Sequence, residues 1–96
     1  METKYIKITE YCTNENIESS FIIALEKEGI LHIETRENNQ YLATEDLPDL
    51  EMFKRWHYDL GINLEGIDAM RHMVERMKEM QKEIKQLRKQ TRFLIE

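Results

Sequence analysis

Cysteine is almost missing from this chain: Cys12 stands alone, which excludes an internal disulfide and leaves no metal-ligand spacing built on thiolates. Glycine is scarce too. Gly29, Gly61 and Gly66 lie far apart, so there is no Gly-rich phosphate loop, and each is accounted for by a helix end or close packing. No apolar run approaches the roughly 18 residues of a membrane span, and the N-terminus has no signal-peptide pattern. A cytoplasmic protein is expected. His32, His57 and His72 fall on different stretches, with no cysteine or paired carboxylates beside them, so neither a metal site nor a catalytic acid–base pair is read from them. His57 and Asp59 beside Trp56 and Tyr58 are the flank of a helix around a core tryptophan. No enzyme and no cofactor are expected.

A chain of 96 residues makes one small domain, or a domain with a helical appendage. At this size only about 60–65% of the unfolded surface is buried, and such chains tend to need reinforcement. With no disulfide or metal to supply it, a partner chain is the expected source.

The net charge of −5 is unevenly spread. Residues 61–96 carry a net +2, whereas residues 1–60 carry −7. Between Thr9 and Glu51 only Lys27 and Arg36 oppose eleven carboxylates. A surface of that sign repels phosphate and attracts basic partners.

Tyr5-Ile6-Lys7-Ile8 alternates as a short strand or extended lead-in. Thr9 and Glu10 suggest a capped helix start around Glu10–Thr13, and Asn14-Glu15-Asn16 a turn. A second helix is predicted from about Glu18 to Glu28, stopped by Gly29. Together these form a helix-turn-helix pattern. Leu31–Thr35 and Gln40–Ala43 flank Arg36-Glu37-Asn38-Asn39 as the two strands and tip of a hairpin. Thr44 then caps a third helix that tolerates Pro48 in its first turn. Its apolar face is Leu47, Leu50, Met52, Phe53, Trp56 and Leu60, and it ends near Gly61.

Asn63 is placed to cap a fourth, long helix. From Met70 a heptad repeat runs with Met70, Met77, Ile84 and Thr91 at a positions and Met73, Met80, Leu87 and Leu94 at d positions. That seam suits a coiled-coil homodimer, with Met70, Met73, Met77, Met80, Ile84, Leu87 and Leu94 as its contacts. The plainer alternative is a helix folded back on its own domain. The small remainder of the chain is too short to cover about 25 residues of seam. The division expected is a winged-helix domain over residues 1–62 and a dimerisation helix over 63–96.

Ile8-Thr9-Glu10-Tyr11-Cys12, the stretch from Ile17 to Leu31, Thr44-Glu45-Asp46-Leu47 and Leu60-Gly61-Ile62-Asn63-Leu64-Glu65-Gly66-Ile67, followed by the heptads, resemble the MerR-type winged-helix layout. The resemblance implies a mainly α fold: a winged helix-turn-helix with a short β-hairpin wing and a long C-terminal helix. Within that superfamily the chain looks most like the chaperone-modulator (CbpM-like) proteins, small chains with no effector domain. The implied function is binding and inhibiting the J-domain of a DnaJ/CbpA-like co-chaperone, as a homodimer. The other class the layout allows is a MerR-type DNA-binding transcriptional regulator. A third is a structural dimeriser whose acidic face serves solubility.

Two departures bear on that choice. Where MerR-type regulators show an Arg-Tyr-Tyr-Glu run, this chain has Ile23-Ala24-Leu25-Glu26, and where the wing usually has paired arginines it has Gln40-Tyr41-Leu42-Ala43. Glu18-Ser19-Ser20-Phe21, the would-be reading surface, has no cation, so nucleic acid is not the expected partner. Ile17, Ile22 and Leu25 suffice for the buried face of the second helix. That leaves Phe21 and Ile23 as surplus apolar residues that either complete the core or anchor a partner. Candidate partner-binding residues are therefore Glu18, Phe21, Ile23, Glu26, Glu28 and Tyr58.

Overall fold

The computed structural model describes the backbone of residues 3–94 and the side chains of residues 3–92. β1 (Tyr5–Lys7) leads directly into α1 (Ile8–Glu15), α2 (Ser19–Lys27) follows, and β2 (Glu34–Arg36) and β3 (Asn39–Ala43) form a hairpin. A 3-10 turn (Thr44–Asp46) enters α3 (Leu47–Lys54), which widens into a π-helical turn (Arg55–Asp59) before the long α4 (Leu64–Leu94). The strands make one antiparallel sheet in the order β1-β3-β2. β1 thus closes the free edge of the hairpin, Ile6 opposite Leu42, which leaves fewer unpaired backbone groups for unwanted pairing.

The junctions follow from single residues. α1 runs two residues past the expected helix and ends at Asn16, whose φ of 55° is left-handed. The Ile17 amide then donates to the Cys12 carbonyl at 3.1 Å. The expected Thr9 cap is not formed: β1 pairing extends through Lys7, so the helix opens at Ile8, without a side-chain cap. Thr9 sits inside the first turn, where its carbonyl accepts from Thr13. α2 stops as expected at Gly29, at φ 74°. There the Ile30 amide reaches back to the Leu25 carbonyl and the Gly29 amide to that of Glu26, both at 2.9 Å, the double closure of a Schellman motif.

The wing tip is tighter than the sequence suggested. Arg36 and Asn39 pair with each other, and only Glu37 and Asn38 turn, both with positive φ, as a two-residue hairpin of right-handed twist requires.

The core gathers Ile8, Tyr11 and Cys12 of α1, Phe21, Ile22 and Leu25 of α2, Leu31, Ile33, Leu42, Leu50, Phe53 and Ile67. Leu47, Met52 and Trp56 pack at its edge. Leu60 does not join them and is 66% exposed. The π-helical turn takes more residues per revolution than an α-helix, so a face read at 3.6 residues per turn drifts off the core by residue 60.

α4 begins as expected: the Gly66 amide donates to Asn63 Oδ1 at 2.8 Å. Ile67, one residue on, is fully buried and fixes the helix to the domain. Beyond Val74 every described residue of α4 is exposed. The 31-residue helix is about 46 Å long, so most of it projects as an arm.

Candidate protein-binding surface

α2 and its two ends carry Glu18, Phe21, Ile23, Glu26 and Glu28 of the candidate residues, and those ends differ. At the N-terminal end Glu18 is exposed, in extended conformation, and accepts from the Ser20 hydroxyl at 3.3 Å. Its charge sits where the helix dipole favours an anion. Phe21 is not an exposed anchor. It is buried, its ring stacked on His57 at 4.7 Å and met edge-on by Tyr58 at 5.3 Å. The π-helical turn brings both rings over Phe21, and nothing in the periodicity of α3 marks that turn. Ile23 is only half-buried and packs against the core edge. Tyr58, with half its surface in solvent, is the candidate that presents an aromatic ring outward.

His57 is fixed by its other contact, Nδ1 to the Ile62 carbonyl at 2.9 Å. Phe21, His57 and Tyr58 therefore make one aromatic cluster joining α2 to the π-helical turn. Leu60 lies exposed two residues beyond it.

At the other end of α2, Glu26 is half-buried and Glu28 is exposed. Glu26 lines a groove of 490 Å³ between the end of α2, the loop that follows it and the start of α3, together with Asp46 and Asp49. Phe53, Ile30 and Leu31 supply the apolar part of its wall. Asp46 stands at the N-terminal cap of α3 and Asp49 in its first turn. That they stand beside Glu26 is a tertiary fact without a local signal.

A second polar cluster holds α1 to α3. Lys54 Nζ donates to Glu15 at 2.8 Å, to Glu51 at 2.9 Å and to the Tyr11 hydroxyl at 3.1 Å. Tyr11 donates in turn to Glu51 at 2.9 Å. Burial alone would lower the pKa of Lys54, but the bonds to Glu15, Glu51 and Tyr11 outweigh it and hold the ammonium well above its ordinary range. The bonds from Lys54 and then Tyr11 draw the Glu51 carboxyl down. Burial pushes Tyr11 up. Cys12 is buried, and burial raises its thiol pKa against the opposing charge of Lys54. The sequence around Cys12 offers only acids; Lys54 reaches it from α3.

Along the arm, Met73, Met77, Met80, Ile84 and Leu87 are each between 48% and 60% exposed, and Met70 is half-buried. Leu94 lies outside the described side chains. Lys78, Lys82, Lys85, Arg88, Lys89 and Arg92 make the distal half of the arm basic. Among the described residues, no group of three His, Cys, Asp or Glu side chains converges to hold a metal ion. No described helix is long and apolar enough to cross a membrane.

A helix-turn-helix, a wing closed by a third strand and a helical arm define a winged helix-turn-helix protein. The chain belongs to the MerR HTH family of regulatory proteins, whose family model matches residues 6–89. That membership points to a regulatory, non-enzymatic protein. Comparisons with curated proteins and with solved structures gave no match.

Proposed function

We propose that the protein is a chaperone modulator: as a homodimer it binds the J-domain of a DnaJ-like co-chaperone and inhibits its action on the Hsp70 chaperone. One observation carries this reading. The helix and wing that a MerR-type regulator turns toward DNA present Glu18, Glu26, Glu28, Glu34 and Glu37, against Lys27 and Arg36. Phosphate contacts supply most of the non-specific affinity of DNA-binding proteins, and this surface repels phosphate. A basic helix, by contrast, is steered toward it. Tyr58 offers the outward aromatic contact of the kind that anchors interfaces. The exposed stripe of Met73, Met77, Met80, Ile84 and Leu87 supports pairing of two arms, since its apolar positions recur at coiled-coil spacing.

The family description keeps a DNA-binding regulator as the competing reading. The purified protein, immobilised and exposed to a recombinant J-domain at low and moderate salt, separates them. Recovery of the J-domain that falls as salt rises supports the modulator reading; retention of duplex DNA in its place contradicts it.

A further inference from the structure

The groove of 490 Å³ between α2 and α3 combines two features that a single kind of ligand satisfies. Part of its wall is apolar, formed by Ile30, Leu31 and the edge of Phe53, and His32 lines it beside them. Its rim carries Glu26, Asp46 and Asp49, and among the described residues none of these carboxylates has a cation within ion-pair distance. This contrasts with Lys54, which takes two carboxylates to itself. The placement of Glu26 is also unfavourable for folding. It lies in the last turn of α2, with Glu28 following, where the helix dipole and the terminal carbonyls are already negative. Lys27 alone opposes them in that turn.

We propose that this groove receives an arginine or lysine side chain from a basic helix of the partner protein. The methylene stem lies along Ile30 and the edge of Phe53, as long cationic side chains do on apolar surface, and the charged head meets Glu26, Asp46 and Asp49. An arginine suits it best, because its planar fork gives two carboxylates separate donors. The inference rests on the partner being basic, as argued above, and it locates where that charge is read.

The test uses the full chain, isotope-labelled, titrated with Nα-acetyl-arginine amide and separately with the neutral citrulline counterpart. The arginine probe is expected to shift the amide resonances of residues 29–32, and citrulline to leave them in place. A Glu26→Gln, Asp46→Asn variant should lose the shifts. It should also bind a J-domain on the order of tenfold more weakly, a loss of about 1.4 kcal/mol. Glu26→Gln alone should raise the thermal midpoint slightly while weakening binding, which a merely structural role for the carboxylate would not do. No shift with arginine, or equal shifts with citrulline, overturns the proposal. If the J-domain binds the wild type and the double variant equally, the groove is excluded and the functional reading stands. If the J-domain binds neither, that reading falls and the arginine titration alone decides the groove. A variant whose only change is a weaker homodimer gives the groove to residues 85–92 of a second copy and overturns the proposal.

Discussion

Lys54 ties α1 to α3 through Glu15, Glu51 and Tyr11 with only 12% of its side chain exposed. Its pH dependence has a defined sign. Glu51 is held below its ordinary pKa, so its contribution is complete above about pH 4.3 and is lost as pH falls through the lowered value. Lys54 is held above its ordinary pKa, so its contribution is complete below about pH 10.4 and is lost as pH rises through the raised value. Tyr11, raised by burial, adds to the alkaline loss. Because Glu15 and Glu51 are 40% and 50% exposed, the screened network is modest, and Lys54→Met should cost about 1–2 kcal/mol. In thermal melts between about pH 3 and pH 7 the variant should show a shallower acid loss than the parent; an unchanged slope would remove Glu51 from the acid transition. At the same scale, Phe21→Ala should cost about 3–5 kcal/mol in urea unfolding, because it empties the space under His57 and Tyr58. A loss near zero would return Phe21 to the surface. Helical spacing identified Ile22 and Leu25 as core and placed with them Ile17, which precedes α2 and is only partly buried; it left Phe21 open, since the rings that cover it come from 36 and 37 residues further along the chain.

Among the elements, those with local chemistry were legible in the sequence: α2 with its terminal glycine, α4 with its asparagine cap, and the hairpin with its Asn-rich tip. Those set by tertiary pairing were not. The alternation of Tyr5–Ile8 left a short strand and an extended lead-in both open, and pairing with β3 makes it the strand β1; the π-helical turn has no compositional mark. Gly66 shows how closely the α4 entry is built. A methyl group there would stand 2.6 Å from Ile62 Cγ2 and 3.1 Å from Asn63 Oδ1. Helix propensity alone favours Gly66→Ala by about 1 kcal/mol. The clash and the disturbed cap outweigh that, so the variant should lose about 1 kcal/mol in denaturant unfolding. A gain in stability would mean that the α4 entry yields freely.

As a whole, the molecule is an acidic winged helix carrying an arm whose distal half is basic, with extents of 61 × 35 × 22 Å. The fold class was readable from the order of its elements, and the acidic sign of the winged helix from the charge count. The groove was not, because Glu26 and Asp46 are separated by the whole wing. The proposed pairing of two arms through Met73, Met77, Met80, Ile84 and Leu87 predicts that Met77→Lys yields a monomer by light scattering while far-ultraviolet dichroism keeps most of its helix. An unchanged dimer would reject the heptad assignment. The claim on which the functional account depends is that the winged helix meets a basic protein and not phosphate. Its most direct test is calorimetric titration of one protein preparation, at matched ionic strength, against a J-domain and against duplex DNA. The expected result is a saturable heat with the J-domain that weakens as salt is raised, and none with DNA. Saturable binding to DNA with no response to the J-domain would contradict it.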